Sequence, residues 1–122
     1  MAAGIYNFTI EQGTTFTREF KYKNSEGVAI PLTSYAVRMQ IRKTVGSSTP
    51  ELSLTESATD GGSILAVGSG DDSNVITLTI SAADTAAMTF DTAVYDLEIE
   101  LLGVVTRLLQ GKTKLSKEVT RD

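Results

Sequence analysis

One stretch of strict alternation, from Ala93 to Leu102, constrains the fold of this chain more than any other. Its apolar residues share one parity, and they are Tyr95, Leu97, Ile99 and Leu101. The residues between them are acidic, and they are Asp96, Glu98 and Glu100. Because successive side chains of a strand point to opposite faces, this pattern gives one apolar face and one solvated face. We therefore predict the central strand of an antiparallel sheet, with residues 103–111 as its hairpin partner.

Shorter segments of the same kind occupy most of the remaining chain. Further strands are predicted at residues 5–11, 15–23, 34–43, 52–54, 63–67, 75–80 and 113–120. Residues 28–32 contain Pro31, which cannot donate to a strand ladder, so this segment is expected to be an edge strand or a connection. Together these make about nine short strands with turn signals about every 8–12 residues. Such spacing is typical of an all-β protein, a β-sandwich or a barrel, rather than of a βαβ fold.

Only residues 81–88 favour a helix. Four alanines in this segment favour helical backbone. Ser81, followed three residues later by Asp84, resembles a capping box in which Asp replaces the usual Glu or Gln. We expect one or two turns that bridge strands across the end of a sandwich. No internal repeat or linker divides the chain, so we expect a single domain spanning residues 1–122.

The composition argues against several classes of function. Among 122 residues there is no Cys and no His, which removes disulfides, thiolate metal sites, the usual general base and the commonest metal ligand. The net charge of −4 argues against a surface that binds a phosphate backbone. No apolar run approaches the roughly 18 residues of a membrane-spanning helix, and the first residues lack the features of a signal peptide. We expect no nucleic-acid partner, no membrane partner and synthesis in the cytoplasm.

The early predicted strands contain five aromatic residues and one arginine whose side-chain directions can be predicted. The aromatic residues fall on inward parity, and they are Tyr6, Phe8, Phe16, Phe20 and Tyr22. We expect them to pack in the core rather than to stack on sugars. Arg18 falls on the apolar parity of residues 15–23. Its stem is expected to pack while its head reaches solvent at a sheet edge, and the alternative is a residue in an interface or a buried ion pair.

The acidic ladder, defined as Asp96, Glu98 and Glu100, admits two interpretations. Same-face residues on a strand lie roughly 7 Å apart, which is near the separation of hydrolytic carboxylate pairs. The clean alternation with apolar residues instead favours an ordinary solvated face. On that interpretation the ladder is paired across the sheet with Arg38 and Arg42.

The polar loop at residues 68–74 is the other place where chemistry could reside. Its oxygen donors could suit Ca²⁺, but the spacing of a calcium loop is missing, so a plain polar loop is favoured. Its glycines have no following GK[ST] and so predict no phosphate cradle. The abundant Ser and Thr residues have no histidine base. We predict no catalytic, cofactor-binding or metal-binding residues and no cofactor.

Several segments together resemble small virion modules of tailed phages. These segments are residues 10–16 (IEQGTTF), 30–35 (IPLTSY), 38–42 (RMQIR), 76–81 (ITLTIS), 84–85 (DT), 95–98 (YDLE), 107–111 (RLLQG) and 119–121 (VTR). Their order is similar to that in small tail, baseplate and fibre-attachment proteins, and in the N-terminal domain of phage baseplate upper proteins. The resemblance covers nearly the whole chain. It implies an immunoglobulin-like antiparallel β-sandwich that carries no catalytic residues.

The function implied by this resemblance is structural. We expect a non-enzymatic phage virion protein, a docking or adaptor module of the tail, baseplate or fibre attachment. Its partners would be other virion proteins and further copies of itself, and it would join the virion in the host cytoplasm. Residues 1–9 and 112–122 are the expected contact arms. Because the chain stops at Asp122, just after the last predicted strand, we expect a stand-alone building block rather than a host-receptor-binding part.

Three alternatives remain open at this point. The nearest is a capsid decoration (cement) protein. The second is a carbohydrate-binding or host-surface-binding module, for which aromatic residues on a solvated face or a complete calcium loop would be the signature. The third is a hydrolase that uses the acidic ladder.

Overall fold

The computed structural model describes residues 4–120 and is mostly β, with 49% of the residues in strands and 7% in helical turns. The strands in this part of the chain are β1 (Gly4–Ile5), β2 (Phe8–Glu11), β3 (Phe16–Lys21), β4 (Ala36–Arg42), β5 (Leu52–Leu54), β6 (Ile64–Val67), β7 (Val75–Ile80), β8 (Thr92–Leu101) and β9 (Val104–Ser116). A 3₁₀ turn covers Gly70–Asp72, and the short helix α1 covers Ala82–Ala86. No helix within residues 4–120 is long and apolar enough to cross a membrane.

The larger sheet is built around β8. Its strand order is β1-β9-β8-β4-β5, and β2 also pairs with β9. β8 is antiparallel to both of its neighbours, β4 and β9. This confirms the predicted central strand and its hairpin partner. The odd-numbered residues of β8 from Ala93 to Ile99 are buried, whereas the even-numbered residues keep partial exposure, as the alternation predicts.

The prediction of two separate strands at residues 103–111 and 113–120 is wrong. A single strand, β9, runs without interruption from Val104 to Ser116. A glycine is required at position 111 because the backbone of the N-terminal segment passes close to it. A side-chain carbon at position 111 would overlap the carbonyl oxygen of Tyr6. The glycine therefore marks a close approach of two backbones rather than a turn.

The N-terminal segment also departs from its prediction. The expected single strand over residues 5–11 is divided into β1 and β2, and both pair with β9 in the parallel direction, so the sheet is mixed rather than purely antiparallel. Between β1 and β2 a side chain takes the place of a backbone acceptor. The side-chain oxygen of Asn7 accepts a hydrogen bond from the Lys112 amide at 2.8 Å. The carbonyl of Tyr6 accepts one from the Tyr95 hydroxyl.

The smaller sheet contains three antiparallel strands in the order β3-β7-β6. Residues 28–32 form no strand, and a single bridge between Lys23 and Ala29 is their contribution to β structure, in agreement with the expected connection. Both sheets contribute to one cluster of buried side chains. The larger sheet supplies Phe8, Ile10, Val37, Met39, Ile41, Leu54, Tyr95, Leu97, Ile99 and Leu115, and the smaller sheet supplies Phe16, Leu65, Ile76, Leu78 and Ile80.

The helix begins with half of the predicted capping box. The Ser81 hydroxyl accepts a hydrogen bond from the Asp84 amide at 3.1 Å. The Asp84 carboxylate does not return to the Ser81 amide, which donates instead to the Ser63 hydroxyl at 2.9 Å. Asp84 accepts from the hydroxyls of Thr59 and Ser63. The cap thus ties α1 to the residue that precedes β6, and α1 is shorter than the predicted 81–88.

Candidate functional site

The outer face of the larger sheet, which points away from the core, carries most of the charged residues singled out above. The register places β4, β8 and β9 side by side, with the acidic ladder on β8 in the middle. Arg38 lies opposite Glu98 on one side, and Arg107 lies opposite Glu98 on the other. An acidic strip is therefore flanked by two basic strands.

The ladder is paired across the sheet, as predicted for Arg38. The Arg38 Nε atom lies 2.9 Å from Glu98 Oε1, and one terminal nitrogen lies 2.9 Å from Glu100 Oε1. The hydrogen bonds that Arg38 donates to Glu98 and then to Glu100 raise the pKa of its exposed guanidinium. One cation thus holds two carboxylates, which is the arrangement of a cross-strand pair.

The predicted partnership of Arg42 with the ladder is wrong. Arg42 donates to the side-chain oxygen of Gln40 at 2.7 Å and to the carbonyl of Ser47 at 2.6 Å. The residue that pairs with Asp96 is Arg107, at 3.5 Å. Arg107 was not predicted because a register shift of β9 between Leu97 and Glu98 brings it onto the outer face, and no pattern in the sequence signals that shift.

Asp96 occupies the centre of this face. Burial, followed by the neighbouring charge of Glu98, raises the pKa of Asp96, while Arg107, Arg42 and Arg38 act in the opposite direction. The charged form of the Asp96 carboxyl group is thus disfavoured. Within residues 4–120 its ion-pair partner is Arg107, and no serine or lysine is hydrogen-bonded to it.

A groove with a volume of about 730 Å³ crosses this outer face. Its middle is polar and includes Gln40, Asp96 and Gln110. Ile5, Val45 and Val94 also line the groove but lie apart, because Ile5 on β1 is level with Gln110, whereas Val45 follows β4, three strand positions away. Ile5 and Val45 are largely exposed.

The turn between β8 and β9 forms a second exposed apolar surface. Leu102 is 94% exposed and Val104 is 67% exposed, and Val105 beside them is also exposed. Leu102 has φ 51° and Gly103 has φ 83°, both in the left-handed region. Leu102, Val104 and Val105 are called the hairpin tip below. The alternation of β8 predicts only a hairpin here, although an apolar run with no polar residue at a turn indicates an exposed apolar surface.

A buried Ser–Asp contact has the composition of a catalytic pair but not the access. The Ser63 hydroxyl donates to the Asp84 carboxylate, and Ser63 is fully buried. No substrate reaches an oxygen in that position, so the contact anchors the start of α1.

In the polar loop, Asp71 and Asp72 lie in the 3₁₀ turn, and both are exposed. Within residues 4–120 no group of three acidic side chains is arranged to hold a metal ion.

Arg18 is the remaining residue that the sequence singles out. The Arg18 guanidinium lies 4.5 Å from the centre of the Phe16 ring, and its Nε lies 3.3 Å from the Tyr6 hydroxyl. Arg18 is exposed, which agrees with a packed stem and a solvated head on the edge strand β3.

The two expected contact arms are largely held within the fold. Residues 4–5 pair with Leu109 and Gln110, and Phe8 and Thr9 pair with Thr113 and Lys114, so parts of both arms lie in the larger sheet, whereas residues 117–120 follow the end of β9. Residues 1–3 and 121–122 lie outside the described residues. No family model and no curated protein sequence matches the chain.

Proposed function

We propose that this chain is a non-enzymatic docking module of a tailed-phage virion, acting in the tail, baseplate or fibre attachment. The observation that carries the docking role is the hairpin tip, where the fold holds Leu102 in solvent and nothing within residues 4–120 covers it. An exposed apolar cluster on a small soluble domain marks a surface for another molecule. The phage context is supported by the resemblance of the segments described above.

The sandwich that we propose is immunoglobulin-like. Supporting this, the order β9-β8-β4-β5 corresponds to the G-F-C-C′ sheet of a variable-type domain, and β3-β7-β6 corresponds to strands B-E-D of the opposite sheet. In that correspondence the outer face of the larger sheet is the G-F-C face. The tyrosine at position 95, on the strand that corresponds to F, hydrogen-bonds the N-terminal segment rather than the turn before its own strand.

Imaging tests the location. Antibody labelling of intact virions that carry the chain is expected to place it on the tail or baseplate. Label spread evenly over the head would support the capsid decoration alternative instead. Absence of label from purified virions would overturn the virion role.

A second measurement tests the non-enzymatic assignment. The chain and its Glu98→Gln variant are compared for hydrolysis of glycoside and peptide substrates, and neither is expected to show activity. Turnover by the unmodified chain that disappears in Glu98→Gln would contradict the proposal, because Glu98 would then do more than bind Arg38. A glycan array is expected to show no binding, and specific hits would favour the carbohydrate-binding alternative.

A further inference from the structure

We propose that the free edge of β3 binds an extended strand of a partner protein, and that this strand carries an acidic side chain opposite Arg18. The inference deepens the proposed docking role, and it rests on that role rather than on the phage context. The surface differs from the hairpin tip. The backbone and the charge of the edge together define what it binds.

β3 is the longest of the edge strands that the structure describes. It ends the smaller sheet, and within residues 4–120 the strand that pairs with it is β7, on one side. The other edge strands, β1, β2, β5 and β6, have 2 to 4 residues, whereas β3 has 6. The outer side of β6 is also engaged, because the Leu65 amide donates to the Thr55 carbonyl at 2.9 Å. β3 therefore offers the longest ladder for the addition of a strand.

The odd-numbered residues of β3 turn their backbone N–H and C=O groups toward this edge. Just past the end of β3, the Tyr22 amide donates to the Asn74 carbonyl at 2.9 Å, on the side of β7. Backbone groups of an antiparallel strand alternate in direction, so the even-numbered residues face β7 and the odd-numbered residues face outward. The Thr17 carbonyl agrees with this direction, since it accepts a hydrogen bond from the Arg18 side chain at 3.0 Å.

Arg18 occupies the position on this edge where an apolar residue would be expected. It pairs with Leu78 of β7, and its neighbours on the same face are Phe16 and Phe20. The guanidinium lies over the Phe16 ring and reaches the Tyr6 hydroxyl, yet within residues 4–120 it belongs to no ion pair. A guanidinium has more N–H donors than its present hydrogen bonds use, so donors remain for a carboxylate.

The charge of the edge selects an acidic strand and disfavours a second copy of β3. A carboxylate directly opposite Arg18 forms a cross-strand ion pair, whereas a basic residue there is repelled. Two copies of β3 that pair antiparallel, with their core faces on one side, overlap most fully in two registers. One register places Arg18 opposite Arg18, and the other places Glu19 opposite Glu19. Since like charges directly opposite each other are destabilising, this edge is protected from pairing with itself.

The aromatic residues beside Arg18 define a second feature of the partner strand. Phe20 is partly exposed, Tyr6 is 37% exposed, and their rings meet edge to face at 5.6 Å. Residues two positions apart on a strand share a face, so a residue two positions from the acidic one would lie opposite Phe20. An apolar side chain there would cover exposed aromatic surface. The expected partner is an extended segment with an acidic residue and an apolar residue two positions apart.

The test uses synthetic peptides and two-dimensional NMR of the full chain. The probe is the peptide Thr-Val-Thr-Glu-Thr-Val-Thr, and a control peptide carries Lys in place of Glu. The probe is expected to shift the amide resonances of Thr17, Glu19 and Lys21 and to slow their hydrogen exchange, because these outward amides gain acceptors. The Lys peptide is expected to bind more weakly by about fivefold or more.

Charge reversal separates recognition of the acidic residue from binding that ignores it. Arg18→Glu is expected to invert the preference by a similar factor, so that the Lys peptide binds better, and such binding also shows that the variant is folded. The control is Lys114→Glu, which reverses an exposed charge on the larger sheet and should keep the original preference. High salt should reduce the preference, because the ion pair lies at the surface.

Three results would overturn the inference. They are equal affinity for the two peptides, shifts confined to residues outside β3, and no shift at a large excess of the probe. None of these results affects the virion role, which the labelling of virions decides. Absence of label from virions together with selective binding of the probe would defeat the virion role and leave the edge of β3 as a strand-binding site.

Discussion

The hydroxyl of Thr113 provides a direct test of how the core is packed. Thr113 lies on β9 between Phe8 and Ala93, is 1% exposed, and has no hydrogen-bond partner for its hydroxyl among the described residues. A buried polar group without a partner costs about 1–3 kcal/mol, and an apolar group of the same shape avoids that cost. Thr113→Val should therefore increase the free energy of unfolding by about 1–2 kcal/mol.

The corresponding change in melting temperature follows from the size of the domain. Unfolding entropy is about 2.1 cal/mol/K per residue, or about 0.26 kcal/mol/K for 122 residues. Thr113→Val should thus raise Tm by about 4–8 °C. The measurement is urea unfolding together with calorimetry, and Thr9→Val is the matched control, because Thr9 is exposed on the neighbouring strand β2. Equal or lower stability of Thr113→Val, with no change in Thr9→Val, would show that the hydroxyl is satisfied and that the reasoning fails.

Three further changes follow from the same structure. Leu102→Asn should stabilise the isolated domain by about 1 kcal/mol in urea unfolding, since Asn tolerates the left-handed turn, and a loss of stability would mean that Leu102 packs on its own chain. Ser63→Ala should destabilise by about 1–3 kcal/mol, because Asp84 and the Ser81 amide lose a buried partner, and Ser57→Ala, which alters an exposed serine, is the control. Because the pKa of Asp96 is raised in the folded state, the unmodified chain should lose stability relative to Asp96→Asn as pH rises through that pKa. A difference between these two proteins that does not vary with pH would contradict that sign.

The residues of β4, β7 and β8 show what a sequence of this kind allows one to predict. In each of these strands a buried face alternates with a more exposed one. The sequence shows this directly, because apolar and polar residues alternate with a period of two. The central strand, the cross-strand pair of Arg38 with Glu98 and the helix start at Ser81 were predictable for that reason.

What could not be predicted depends on residues far apart in the chain. The close approach of the Tyr6 backbone to Gly111 has no local signature in the sequence. Arg107 joins Asp96 only because β9 shifts register beside Leu97. The parallel direction of β2 has no local signature, since a strand has the same alternation whichever way its neighbour runs.

The parallel pairing of the first and last strands has a mechanical consequence. Phe8 of β2 lies opposite Thr113 and Glu11 lies opposite Ser116, so the chain enters β2 at one end of this ladder and leaves β9 at the other. Tension that draws the two ends of the described chain apart therefore loads the β2–β9 hydrogen bonds together, in shear, rather than opening them one after another. A domain built in this way resists stretching along its length and can transmit a pulling force without first unravelling.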